Sequence, residues 1–202
     1  NENVEYEVYS SQTNGCLIHS QGKLSTIIQQ SPQKRDLATI KSRLKSSKEK
    51  NVCYALFKEI GIEYGESFQG IEVLYYNEAE ALSKIRLPKE KDYILQPSLL
   101  DSALQTCIGL NFDKVGQELV LPFSIREVNI YQPLSDHIWC YARKSKSNKT
   151  DGNIISYDVD LCDDEGEIVL SFIDFVTLPV DGFSKMKQIE QGVSTHLYSS
   201  SW

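Results

Sequence analysis

Residues 95–110 read LQPSLLDSALQTCIGL, and this run constrains the fold more than any other. Pro97 and Ser98 open a helix, with Ser98 the expected N-cap and Asp101 answering it three residues on. Leu99, Leu100, Ala103, Leu104, Cys107 and Ile108 then cover most of the helix surface. A helix that is apolar nearly all round is buried, so the rest of the chain has to wrap it. Asp101 and Gln105 break the pattern. Four residues apart, they share one face and can touch. A buried carboxylate is costly unless it is partnered or functional. The plainer reading makes Asp101 a first-turn acid favoured by the helix dipole, with Gln105 as its neighbour.

The segments around this helix read mostly as strands. Alternation at Val4, Tyr6 and Val8, the turn signal Thr13-Asn14-Gly15 and a second apolar run predict an antiparallel hairpin over residues 3–28. Residues 29–50 are polar, rich in Ser and Lys, and read as a linker with a short helix near Ile40 and Leu44. Apolar residues at 52, 53, 56, 57 and 60 predict a helix stopped by Gly61. Strands follow at 70–76 and 80–87, with Asn77-Glu78-Ala79 as their turn. After the long helix and a loop at 111–118, strands are expected at 119–125, 126–132, 137–144, 154–162 and 168–180. In the last of these, Phe172 and Phe175 alternate onto opposite faces. Asp163-Asp164-Glu165-Gly166 is an acidic turn without the spaced ligands of an EF-hand. One long apolar helix among such strands predicts an α+β fold, an antiparallel sheet wrapped around the helix.

Composition limits the partners. At 202 residues there is room for one sizeable domain or a small one with appendages. A net charge of -7 argues against a nucleic-acid or anionic-membrane binder. No run is long enough to cross a bilayer and no signal peptide opens the chain. Asn1-Glu2-Asn3 lacks an initiator Met, so the chain is expected to be a piece of something longer. The five cysteines form no CxxC pair and no zinc spacing, and read as reduced residues of a cytoplasmic protein. No metal site is expected.

Several of these stretches carry a resemblance. QPSLLDSALQ resembles the HPxLLDxxxQ helix of dehydratase domains in bacterial modular polyketide synthases, with Gln96 in the place of the leading His. Residues 61–70 resemble that family's GxxYGPxFQG segment through Tyr64, Gly65, Phe68, Gln69 and Gly70, with Glu66 where the family has Pro. LVLPFSI at 119–125 is similar to its LPF segment, and EVYSSQ…CLIHSQGKL to the hairpin ending the first half of such a domain. The resemblance implies a hot-dog fold, the second half of a double hot-dog. Residues 1–30 would be a hairpin from the end of the first hot-dog, 31–50 a linker, 51–180 the second hot-dog and 181–202 a linker beyond it.

The family's chemistry follows as an expectation. Water is eliminated from a β-hydroxyacyl thioester when a base takes the α-proton and an acid protonates the leaving hydroxyl. The resemblance makes Asp101 the acid and Gln105 the residue that orients it. Tyr64, Gly65, Phe68, Leu100 and Pro122 would line the substrate channel. The family's base is a His in an HxxxGxxxxP motif, which this sequence lacks; His19, His137 and His196 do not read as substitutes. The fragment alone is expected to be inactive. No cofactor is expected to bind directly; the substrate would ride on the phosphopantetheine of an acyl carrier protein. The other implied partners are neighbouring megasynthase domains, a ketoreductase downstream, and a second copy of the chain. Without a first hot-dog, the exposed edge and apolar face should drive self-association. Ring closure or double-bond migration on the same fold, and a non-catalytic dehydratase-like scaffold, stand as alternatives.

Overall fold

The computed structural model describes residues 3–12, 15–26, 32–88, 93–112, 119–146 and 155–179. They fall into two compact units, one with the N-terminal hairpin and one spanning 31–180. In the hairpin, β1 (Asn3–Gln12) pairs antiparallel with β2 (Gly15–Ser25), from Asn3 opposite Ser25 to Gln12 opposite Gly15. Tyr6 lies opposite Gly22, and a Cβ at 22 would stand 2.8 Å from its ring, so glycine is what lets the aromatic ring lie across the partner strand. The expected hairpin is therefore present; residues 13, 14, 27 and 28 lie outside the described residues.

Among its described residues the second unit holds seven strands: β3 (Ser46–Glu49), β4 (Ile71–Tyr76), β5 (Glu80–Arg86), β6 (Val120–Ile130), β7 (His137–Lys144), β8 (Ile155–Cys162) and β9 (Ile168–Pro179). They form one antiparallel sheet in the order β3-β4-β5-β7-β8-β9-β6. At the turn between β4 and β5, Asn77 Oδ1 accepts from the N–H groups of Ala79 and Glu80 at 2.8 and 2.9 Å, fixing the tight return. One face of the sheet closes on α3 (Pro97–Gln105). Leu99, Ala103 and Cys107 meet Leu74, Ile85, Cys140, Val159 and Leu170 in a single core, with Phe57 of α2 (Lys50–Glu59) at its side. The wrapped helix expected from residues 95–110 is present, but it tightens to 3-10 geometry over Thr106–Asn111.

Three expectations need correction. The start of α3 is the first: Gln96 is the N-cap and Pro97 the first helical residue, so Ser98 does not cap and Asp101 lies beyond the first turn. The second concerns residues 31–50. Within them Ile40 of α1 (Leu37–Arg43) and its C-cap Leu44 pack against Leu82 and Tyr141 on the outer sheet face, and β3 pairs with β4. Arg35 reaches over the sheet to Asp160 at 2.6 Å, and Arg143 meets the same carboxylate oxygen at 2.7 Å. This stretch is part of the packed unit rather than a linker between units. The third is strand phase. Residues 119–125 and 126–132 merge into β6 across an irregularity between Pro122 and Ser124. In β9 the register with β8 shifts, Asp174 takes φ +50°, and Phe172 and Phe175 both enter the core. A bulge adds one residue and so reverses the alternation beyond it. Residues 181–202 lie outside the described residues.

Candidate active site

The site is built where α3 passes beneath the loop that leaves α2. Gln96 starts α3 through its carbonyl, which accepts from the N–H groups of Leu99 and Leu100 at 3.2 and 3.1 Å. Its buried side chain donates to the Pro88 carbonyl at 3.1 Å and to Ser98 Oγ at 3.0 Å. One turn on, Ser102 donates to the Ser98 carbonyl at 2.9 Å and accepts from the Gly70 N–H at 3.2 Å. A Cβ at Gly70 would lie 2.6 Å from that hydroxyl, so this position admits only glycine if the loop is to lie this close to the helix.

Above this contact stand the polar residues. Gln105 Nε2 donates to Asp101 Oδ2 at 2.8 Å and to the Phe68 carbonyl at 3.0 Å. Gln105 Oε1 accepts from the Tyr54 hydroxyl of α2 at 2.9 Å. Tyr64 packs edge-on against Tyr54 and Phe57, with centroids 6.0 and 5.3 Å apart. Burial pushes the Tyr64 phenol up, and the Asp101 carboxylate pushes it further. Burial likewise raises the Asp101 carboxyl above the ordinary 3.8, while the Gln105 hydrogen bond pulls the other way. With Asp101 outside the first helical turn, burial rather than the helix dipole sets the direction.

Of the remaining residues expected at the site, Gly65 precedes the 3-10 turn Glu66–Phe68 and its carbonyl accepts from the Phe68 N–H at 2.9 Å. Glu66 opens that turn, the position where proline is also favoured, with its own side chain exposed. Leu100 is half-buried against the core. Pro122 is not brought to this cluster: it lies exposed in β6, opposite Thr177, at the far end of the sheet order from β3. His19 sits in the hairpin with its Nε2 3.0 Å from Ser10 Oγ. His137 is held between Asp136 at 2.9 Å and Asp164 at 3.0 Å. His196 lies outside the described residues. Sequence reasoning missed Tyr54 and the Phe68 carbonyl. The available signal was a tyrosine on the buried face of an amphipathic helix, whose hydroxyl needs a partner.

The Asp and Gln of one buried helix, with the tyrosine and phenylalanine of the preceding Gly-punctuated loop, are the elements of a known family. The family described as "Polyketide synthase dehydratase N-terminal domain" matches residues 32–182. This chain belongs to the polyketide synthase dehydratase family. The match takes in α1 and β3 along with the rest of the packed unit. Polyketide synthase PksM of Bacillus subtilis (strain 168) is 33% identical over 182 residues, 83% of this chain but 4% of PksM. Among solved structures, a trans-AT polyketide synthase dehydratase domain from Brevibacillus brevis superposes with a TM-score of 0.77 at 31% identity, over 88% of this chain and 65% of that one. The dehydratase domain from the CurJ module of the curacin polyketide synthase gives 0.75 at 29%, over 87% and 63%. The fold is the α+β hot-dog of these dehydratases. The chain spans just under two thirds of those two domains.

Proposed function

We propose that this chain carries the acid half of a β-hydroxyacyl thioester dehydratase site. The observation that carries the reading is Asp101: largely buried, its carboxyl raised, and held by an amide on its own helix. A carboxyl that holds its proton to higher pH than a free one is better placed to give it to a leaving hydroxyl. Asp101 protonates the departing β-hydroxyl, the α-proton leaves to a base, and the products are water and the α,β-unsaturated thioester. Gln105 orients the acid. Tyr64, Gly65, Phe68 and Leu100 flank the path of the acyl chain, and Pro122 lies away from it, near a face open to a carrier.

The base is a histidine in the part of the dehydratase domain that this chain does not span. Three features support placing the chain in the C-terminal hot-dog, although the matching family is described as an N-terminal domain. They are a hairpin ahead of the packed unit, the order of the loop and helix motifs, and the coverage of under two thirds of the related domains. The substrate is presented on the phosphopantetheine of an acyl carrier protein in the cytoplasm. Adjoining synthase domains, a ketoreductase among them, and a second copy of the chain complete the set of partners.

The test is turnover of carrier-bound β-hydroxyacyl thioesters by the dehydratase within its synthase polypeptide. Asp101→Asn is expected to lower kcat by roughly a hundredfold to ten-thousandfold, the range for loss of a general acid. A parent enzyme inert on several chain lengths and on both β-configurations would overturn dehydration in favour of ring closure or a non-catalytic scaffold.

A further inference from the structure

Tyr54 stands outside every motif noted above, yet its hydroxyl occupies the middle of the site's hydrogen-bond chain. It accepts from the Ile71 N–H at 3.0 Å and donates to Gln105 Oε1 at 2.9 Å. The other end of that amide faces two acceptors, Asp101 Oδ2 at 2.8 Å and the Phe68 carbonyl at 3.0 Å. An amide end between two acceptors has to be the amino group. The carbonyl end then faces Tyr54, where a hydroxyl fixed by a backbone N–H has one hydrogen to give.

We propose that Tyr54 is the positioning residue for the acid: its hydroxyl, anchored on the Ile71 amide, holds Gln105 so that Nε2 donates to Asp101 Oδ2 and the transferable proton rides on Oδ1. The inference rests on the dehydratase reading for its purpose, but its geometry stands independently. A carboxyl oxygen that accepts an N–H is the carbonyl-like one, which leaves the proton to its twin. Hydrogen bonds in series also polarise one another, so donation into Oε1 makes Nε2 a stronger donor. Tyr54 thereby opposes the upward push of burial on Asp101. The titratable groups facing Asp101 are the phenols of Tyr54 on α2 and Tyr64 in the following loop. Burial raises both, so they remain neutral across the range where Asp101 titrates.

The decisive measurement is the Asp101 titration itself, followed by NMR on the 202-residue chain labelled with carbon-13 at aspartate carboxyls. Tyr54→Phe should move the midpoint up. Gln105→Ala should move it up further, and Tyr54→Phe added to Gln105→Ala should change nothing more, because Tyr54 acts through the amide. Placing 3-fluorotyrosine at position 54 keeps the ring and strengthens the donor, so the midpoint should move down; this variant also serves if Tyr54→Phe fails to fold. In the synthase polypeptide, Tyr54→Phe should lower kcat roughly tenfold with KM unchanged, the scale of one hydrogen bond. It should also shift the alkaline limb of the kcat/KM profile upward. A midpoint that ignores position 54, or a Tyr54→Phe shift that persists in the Gln105→Ala background, overturns the proposal. An inert parent enzyme would overturn the dehydratase reading alone and leave the titration to decide the role of Tyr54.

Discussion

Asp101 illustrates how one residue's chemistry is set by its offset along a helix. One turn nearer the N-terminus it would be an ordinary capping acid, stabilised as the anion. Five residues past the N-cap, and packed beneath the 64–69 loop, it is pushed toward its protonated form. The pair with Gln105 was legible in the sequence because a four-residue spacing puts two side chains on one helix face. Tyr54 was not, because it meets Gln105 across 51 residues of chain and nothing local marks that contact. Gly166 shows the same limit for stability. It has φ +81°, and a Cβ there would lie 2.1 Å from the Arg35 carbonyl oxygen, which belongs to a segment over a hundred residues away. The Arg35 N–H also donates to the Gly166 carbonyl at 2.8 Å. Gly166→Ala combines backbone strain with a collision against backbone, and is expected to cost about 2 kcal/mol or more. Denaturant unfolding would measure it, and a loss below about 0.5 kcal/mol, the range of ordinary surface changes, would contradict this account.

Among the elements, the strands flanking α3 followed from alternation, and the ones that departed did so at bulges. Phe172 and Phe175 read as opposite-facing residues because period-two counting assumes an unbroken ladder. The register shift opposite Tyr157 and Val159 brings both inward. The 31–50 stretch misled for another reason: α1 and β3 are short, and the stretch is held by partners distant in sequence, Asp160 for Arg35 and Tyr76 for Ser46. Composition alone cannot distinguish such a segment from a linker. The turn between β8 and β9 is tied to the start of β7 by His137, which bridges Asp164 and Asp136, while the Trp139 indole N–H donates to Asp164 at 3.1 Å. These carboxylates raise the imidazole above its ordinary 6.5, the Asp136 hydrogen bond contributing most. A raised folded value means stability that is fully present below pH 6.5 and lost as pH climbs through the folded value. His137→Gln should therefore lower the melting temperature more at pH 5.5 than at pH 8.5. Equal losses at both pH values would show that the clamp does not depend on the imidazolium.

At the scale of the whole molecule, the sheet covers one side of its helix, leaves Leu100 and Leu104 half-buried on the other, and places β6 at an edge. Among the described residues β6 pairs with β9 alone, and Phe123, Ile125, Val128 and Ile130 are 36–54% exposed along it. An edge strand with this much apolar surface is a template for association. The purified chain is expected to sediment above its 23.0 kDa monomer mass at tens of micromolar. Val128→Lys should return it toward the monomer by placing a charge on the edge. A wild-type chain that runs as a clean monomer would remove the expectation.

The sequence by itself determined the central helix, the Asp101 and Gln105 pair and most of the strands, because each is written in local periodicity: near-continuous apolar residues, a four-residue spacing, a period of two. It also carried the loop and helix motifs by which the family is recognised. Only the tertiary structure decided the rest. It placed Asp101 beyond the first turn and under a loop, so that burial governs its proton. It joined Tyr54 to Gln105, drew α1 onto the outer sheet face and reversed the phase of β9. Each of these depends on groups far apart in the chain being forced to share the same desolvated space, where every buried donor, acceptor and charge must find a partner.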